Sequence, residues 1–215
     1  MSQVSSLTTD AGPTPFAVGA PKLQLSDLRH RRFTVDEYEE LVKNGILTEN
    51  DKCELIHGII SDKMVIGDPH RACVKRLNRF FNQFSEKHYL VGLQDAIRLG
   101  DSVPEPDCVL ANFRDDFYES GKPRPQDILL VVEVAASSLV FDRMIKAPLY
   151  ASAGISEYWI ANVIDACIEV HRLPQANGQY AGKRIYTRGE SISPLALPHT
   201  TMAVNDILGP PSPQK

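Results

Sequence analysis

The stretch that most constrains the fold is LLVVEVAASS, Leu129 to Ser138, an apolar and β-branched run that carries one carboxylate, Glu133. A short run of this kind, bounded by polar residues, predicts a strand buried on both faces at the centre of a sheet covered by helices. An unpaired carboxylate there costs several kcal/mol unless a partner, a proton or a metal compensates it. Something must therefore stand opposite Glu133.

At 215 residues, with 43% hydrophobic and 23% charged content, the chain can bury one good core and suits one domain better than two. Its formal net charge of -4 excludes a global positive field that would draw it to nucleic acid or to an anionic membrane. Any nucleic-acid binding must be local or assisted by metal. Cys53, Cys73, Cys108 and Cys167 are widely spaced, form no CxxC or Cys/His cluster, and read as buried free thiols. No apolar stretch reaches the roughly 18 residues a membrane helix needs, and no basic-then-apolar leader opens the chain. The expectation is a soluble, cytoplasmic protein.

Residues 1–32 are rich in Ser, Thr, Pro and Gly without periodicity and predict a flexible arm, ending in the basic cluster Arg29 to Arg32. Order is expected over residues 33–208, with 209–215 a frayed tail. TVDE, Thr34 to Glu37, matches a capping box, followed by Tyr38, Leu41 and Val42 on one helical face, and Gly45 ends that helix. CELIHGIISDKMVI predicts a pair of strands or one bent strand, with Glu54 at its start. From Pro69, the residues Cys73, Val74, Leu77, Phe80, Phe81 and Phe84 recur at helical spacing, while Arg71, Lys75, Arg76 and Arg79 occupy other faces. YLVGLQDAIRLG, PDCVLANF, ILLVVEVA, EYWIAN and CIEVHRL read as successive strands, with a helix around Arg143 to Ala153 and a hairpin corner at Asn177-Gly178. The fold class is α/β, a mixed sheet with helix on at least one face.

The best counterpart for Glu133 is Asp107, which follows Glu105-Pro106 and opens the next apolar run. Two carboxylates brought together by adjacent strands repel, which raises one pKa or recruits a divalent cation through oxygen ligands. Lys146, with Asp142 before it, is placed on the following helix to hold or activate the water nucleophile or to stabilise charge developing on a phosphate.

The ordered series ELIHG, PH at a helix start, PD, VVEVAASS, FDRMIK, LYASAGISEYWIAN and VNDIL resembles the Uma-two family of restriction endonuclease-like proteins, a branch of the PD-(D/E)XK nuclease superfamily. The resemblance runs from about Phe33 to Leu208. It implies a restriction-endonuclease-like core, a mixed sheet flanked by helices, with Asp107 and Glu133 binding Mg²⁺ or Mn²⁺. It further implies Glu54 as an additional carboxylate at the metal and Lys146 as the catalytic lysine. The superfamily's usual lysine position, two residues after the glutamate, is Ala135 here, so the resemblance moves the lysine to the helix. His57 stands where the family commonly has Asp. The family's histidine near the site corresponds to His70.

Pro148, two residues after Lys146, would clash inside an established helix and is expected only near a first turn, which leaves the aim of Lys146 open. Glu133 could equally be a structural charge paired with Lys146 or with Arg98. Tyr158 and Trp159 read as core or dimer surface rather than base-stacking platforms. The function expected is metal-dependent phosphodiester hydrolysis, with DNA chosen over RNA by analogy and a homodimer kept open. The rivals are a catalytically silent nuclease-like scaffold that binds or regulates, and a hydrolase of a small phosphorylated molecule sharing the same site.

Overall fold

The structure is a computed structural model that describes residues 31–64, 66–85 and 88–210. The expected arm up to residue 30 and the tail from residue 211 lie outside the described residues. From Arg32 on, the chain forms one unit. It begins with α1 (Val35–Lys43), whose capping box forms as the sequence predicts: Thr34 Oγ1 accepts from Glu37 N–H at 3.1 Å, and Glu37 Oε2 accepts from Thr34 N–H at 2.9 Å. Such a cap is worth about 1 kcal/mol. Val35 and Tyr38 are buried, Leu41 is half-buried, and Val42 is 48% exposed. The buried stripe is thus narrower than the expected Tyr38, Leu41 and Val42 face: Val35 and Tyr38 pack with Leu55 and Ile60 of the hairpin beside it and with Val103 and Ala96.

That hairpin, β1 (Cys53–Ile56) and β2 (Ile59–Asp62), resolves the two apolar stretches into an antiparallel pair. His57 and Gly58 form its two-residue turn with φ of 49° and 74°, the left-handed geometry that matches strand twist. A Cβ on Gly58 would sit 2.9 Å from the Phe33 carbonyl oxygen and 2.7 Å from Arg32 Cβ, so glycine is required there. His57, departing from the family's Asp, is a turn residue; both types tolerate positive φ.

The main sheet has six strands in the order β3-β4-β5-β6-β7-β8. These are β3 (Tyr89–Gly92), β4 (Cys108–Asn112), β5 (Ile128–Ala135), β6 (Glu157–Asn162), β7 (Cys167–Pro174) and β8 (Tyr180–Thr187). β5 and β6 run parallel and every other pair is antiparallel, the expected mixed sheet. Only the first four residues of the expected YLVGLQDAIRLG strand are extended in the sheet. The rest loops back under β1, burying Ile97 and Leu99 and bonding Val103 to Leu55.

Strand alternation divides the core in two. Leu130, Val132 and Val134 of β5 face α2 (Asp68–Asn82), which buries Cys73, Leu77 and Phe81 against them. Phe80 is half-buried and Phe84 lies 36% exposed at the end of the aromatic stripe. Val131 and Ala135 face the opposite side, packed under Ala147, Leu149 and Tyr150. Trp159 and Tyr158 are fully buried, one in each core, so both are core rather than surface. The four cysteines are buried free thiols.

The β5–β6 crossover starts earlier than expected. It runs as α3 (Leu139–Phe141), one π-helical turn over Asp142–Lys146, and α4 (Ala147–Ser152). In the wide turn Ala147 N–H bonds back to the Asp142 carbonyl, five residues earlier. Pro148 has no N–H to give and its ring needs room near the preceding carbonyls; the wide turn supplies that room without ending the helix. The chain closes with β9 (Ser191–Ile192), β10 (Met202–Ala203) and α5 (Val204–Leu208). Gly209, expected in the tail, is buried and bonds back to Asn205. Among the described residues, no helix is long and apolar enough to cross a membrane.

Candidate functional site

Glu133 shares the β5 face of Val131 and Ala135, so it points toward the crossover helix. On β4, Cys108 pairs with Val132 and Val109 with Val131. Continuing that register by one residue sets Asp107 opposite Glu133 on the same face, as expected of carboxylates on neighbouring strands. Above them the π turn delivers Asp142 and Lys146, both buried. Because the helix is already under way at Leu139, the spacing of four keeps these two on one side. The β1–β2 hairpin brings Glu54 from the far end, and the first turn of α2 brings His70. Together they line a cleft of about 180 Å³, with Lys63, Gln94, Glu105 and Ser138 around it.

Lys146 is the hub. Its Nζ lies 3.0 Å from Glu133 Oε1 and 3.1 Å from Glu54 Oε1. Tyr150, one turn on, donates to the same Glu133 oxygen at 2.7 Å. Glu54 Oε2 accepts the backbone N–H of Glu105 at 3.0 Å, which fixes the chain just before Pro106-Asp107. Asp107 Oδ2 accepts the Val134 N–H at 2.8 Å and lies 2.9 Å from His70 Nε2. Ser138 donates to Asp142 at 2.7 Å, and Lys63 pairs with Glu105 at the rim. Arg98 pairs with Asp36 and Glu39 near α1, so the lysine, not this arginine, is the partner of Glu133.

The electrostatics follow from burial. Desolvation pushes the Glu133 carboxyl up to about 8; Lys146 opposes the shift, and the neighbouring Asp107, Asp142 and Glu54 carboxylates reinforce it. Asp142 is pushed up to about 6, again by burial first, against the Ser138 hydrogen bond and Lys146. Burial works against the Lys146 charge, but the attraction of Glu133 and Glu54 outweighs it, and the ammonium is held above its ordinary value. The cleft is a crowd of carboxylates held around the buried Lys146 ammonium, with Lys63 at the rim.

All four residues expected from the sequence, Glu54, Asp107, Glu133 and Lys146, line this one cleft. Sequence reasoning did not assign Tyr150 or Ser138 a role. Tyr150 lies four residues after Lys146, a spacing that puts two residues on one helical face and could have found it. His70 and Asp142, whose roles were open, are both in the cleft.

Among the described residues, no three Asp, Glu, His or Cys side chains converge closely enough to hold a metal ion by themselves. The donor chemistry nonetheless fits a hard cation, because Mg²⁺ takes oxygen ligands and is commonly held by one or two carboxylates plus waters and substrate phosphate. Asp107 and Glu133 meet that requirement. The protein's donors converge on Oδ2 of the first and Oε1 of the second, and among the described residues no hydrogen bond engages Asp107 Oδ1 or Glu133 Oε2.

Against known families, residues 35–205 match the model described as "Uma2: Putative restriction endonuclease". No curated protein matches the chain. A solved structure described as a "putative nuclease belonging to DUF820" from Anabaena variabilis superposes with a TM-score of 0.63 at 16% sequence identity. The match covers 82% of this chain and 97% of that one. At that identity the likeness shows the fold, a nuclease-like mixed sheet flanked by helices.

Proposed function

The chain belongs to the Uma2 family of restriction endonuclease-like proteins, and on that premise we propose that its cleft hydrolyses phosphodiester bonds in DNA with a divalent cation at Asp107 and Glu133. The observation that carries the reading is the opposed carboxylate pair, each with one oxygen anchored by the protein, beside a buried lysine. DNA is chosen over RNA from the family's description as restriction endonucleases. At such a pair a bound Mg²⁺ or Mn²⁺ supplies a water of lowered pKa and neutralises charge at the phosphate.

The chain's own residues divide the remaining work. Tyr150 and Lys146 fix the orientation of Glu133, and His70 with the Val134 N–H fixes that of Asp107. Glu54, with one oxygen on Lys146 and the other on Glu105 N–H, acts chiefly to aim the lysine. The Lys146 ammonium stays protonated and faces the charge that develops on the phosphate oxygens in the transition state. Asp142 can accept a proton from an attacking water near neutral pH, because burial holds its carboxyl close to that range.

A second reading, a silent nuclease-like scaffold, is favoured by one observation: Lys146 already pairs with both Glu54 and Glu133 without an ion. Plasmid cleavage with Mg²⁺ or Mn²⁺, comparing wild type with Asp107→Ala, separates the two. Metal-dependent nicking lost in the variant supports the nuclease. Absence of nicking by both proteins, over a range of DNA substrates, moves the weight to the scaffold.

A further inference from the structure

Charge is unevenly distributed over the fold. The 15 residues of α2, DPHRACVKRLNRFFN, hold four basic side chains, Arg71, Lys75, Arg76 and Arg79, against the single acid Asp68. The chain as a whole carries 23 Lys and Arg against 27 Asp and Glu. The contrast with α1 is direct, since VDEYEELVK holds four acids against one lysine. This helix is therefore locally basic in an acidic protein, and it begins inside the cleft, where His70 meets Asp107.

Three of the four basic residues form a line. Arg71, Lys75 and Arg79 are spaced by four, which places them on one face, and all three are exposed. Arg76 points elsewhere, toward the Leu208 carbonyl at the end of α5. Several other cations are paired within the fold: Arg98 with Asp36 and Glu39, Lys122 with Glu39, Arg143 and Lys183 with Glu169, Arg172 with Glu157. Among the described residues Lys75 and Arg79 have no carboxylate partner, and Arg71 has only the solvent-exposed Asp68. An exposed pair of that kind is worth little and is readily exchanged for another anion.

We propose that the Arg71–Lys75–Arg79 ridge of α2 is the track on which the phosphate backbone of a DNA strand lies as it enters the cleft. This rests on the phosphodiesterase reading and adds the surface that holds the polymer. At 1.5 Å per residue the ridge is about 12 Å long, with its three cations about 6 Å apart along the helix, enough to run beside a few successive phosphates of one strand. Arg71 shares the first turn of α2 with His70, which lines the cleft, so the near end of the track lies beside the cleft and the far end leads away along the helix. A protein of net negative charge needs such a local positive element, because the carboxylate cleft itself repels the substrate.

Salt dependence of binding tests this. A fluorescein-labelled 20-base-pair duplex is titrated by anisotropy, in calcium chloride and increasing KCl, against three proteins. These are wild type, Arg71→Gln/Lys75→Gln/Arg79→Gln, and a control of equal charge loss, Lys43→Gln/Lys52→Gln/Arg184→Gln. Each lost phosphate contact lowers the slope of log Kd against log salt by about 0.9, so the ridge variant should lose about 2.7 and the control far less. Equal slopes in wild type and ridge variant overturn the proposal, as does an equal loss in both variants, or a wild type that binds no duplex. Hydrolysis of bis(4-nitrophenyl) phosphate by the wild type, a diester too small to reach along α2, reports on the cleft separately. If the diester is cut while the slopes match, the ridge falls and the cleft reading stands. If the diester is not cut but the ridge variant alone loses slope, the track stands and the cleft reading falls.

Discussion

The ammonium of Lys146 lies 3.0 Å from Oε1 of Glu133, a carboxylate 13 residues earlier in the chain, and both groups are almost completely buried. One residue comes from the central strand and the other from the wide turn of the crossover helix. Removing Lys146 leaves Glu133 buried without a cationic partner, whereas removing Glu133 leaves Lys146 paired with Glu54.

Lys146→Ala should therefore destabilise the fold by about 3 to 5 kcal/mol near pH 8, the usual cost of breaking a buried pair from one side. The loss should be smaller near pH 5, where Glu133 can take a proton and shed its charge. Urea unfolding at the two pH values reads the difference. Cleavage should be lost at both, while Mn²⁺ binding followed by calorimetry should persist. A variant that cuts DNA as fast as wild type would remove Lys146 from the mechanism.

The raised Glu133 and Asp142 carboxyls make a second prediction. With folded values near 8 and 6, above those of the unfolded chain, these two carboxyls bind more protons in the folded state from about pH 4 to 8. Together they outweigh His171, which burial pushes down to about 4 and which acts in the opposite sense up to about pH 6.5. Stability of the metal-free protein should fall as pH rises through that window. Lys146, whose raised value lies above the window, contributes equally across it. Thermal melts in EDTA should show this slope, and Glu133→Gln should flatten its upper part. Added Mg²⁺ should raise the melting temperature more at pH 8 than at pH 5.5, and the Gln variant should lose most of that gain.

Tyr150→Phe removes only the hydroxyl that fixes Glu133 from the second side. A hydrogen bond to a charged group contributes about 1.5 to 3 kcal/mol, so a stability loss in that range is expected. Cleavage should fall on the order of tenfold through a lower kcat, with KM for DNA little changed. A change confined to KM would place Tyr150 in substrate binding instead.

Gly58→Ala tests the hairpin that presents Glu54. The positive φ of 74° and the close approach of the Phe33 carbonyl should together cost about 2 kcal/mol. The loss should appear as a lower urea midpoint. His57→Asn, compatible with the same turn, should be neutral within about 0.5 kcal/mol.

Much of this site was legible in the primary structure. The apolar run around Glu133 predicted a buried central strand, and the Glu105-Pro106-Asp107 entry predicted a neighbouring one. The capping box at Thr34 and the helical spacing from Cys73 to Phe81 both form. What misled was burial without regularity. The residues Ile97 and Leu99 look like strand because they are apolar, yet they are buried by a loop packed under the β1–β2 hairpin. Val42 continues the apolar pattern of α1 but has nothing above it to pack on.

The sequence by itself determined what depends on neighbours a few residues apart: that the runs around Glu133 and from Cys73 form a strand and a helix, where α1 starts, and that Glu133 points to the face opposite Val132 and Val134. Period and capping are local properties, so no distant contact can change them cheaply. Only the tertiary structure decided that Lys146 reaches Glu133 and Glu54 at once. That outcome depends on a π turn that accommodates Pro148 and on a hairpin 92 positions earlier, held in place by the Leu55–Val103 bridge and the Glu54–Glu105 bond. Such contacts exist only after long loops have closed, and their geometry is set by packing of the whole sheet rather than by any residue's own preference.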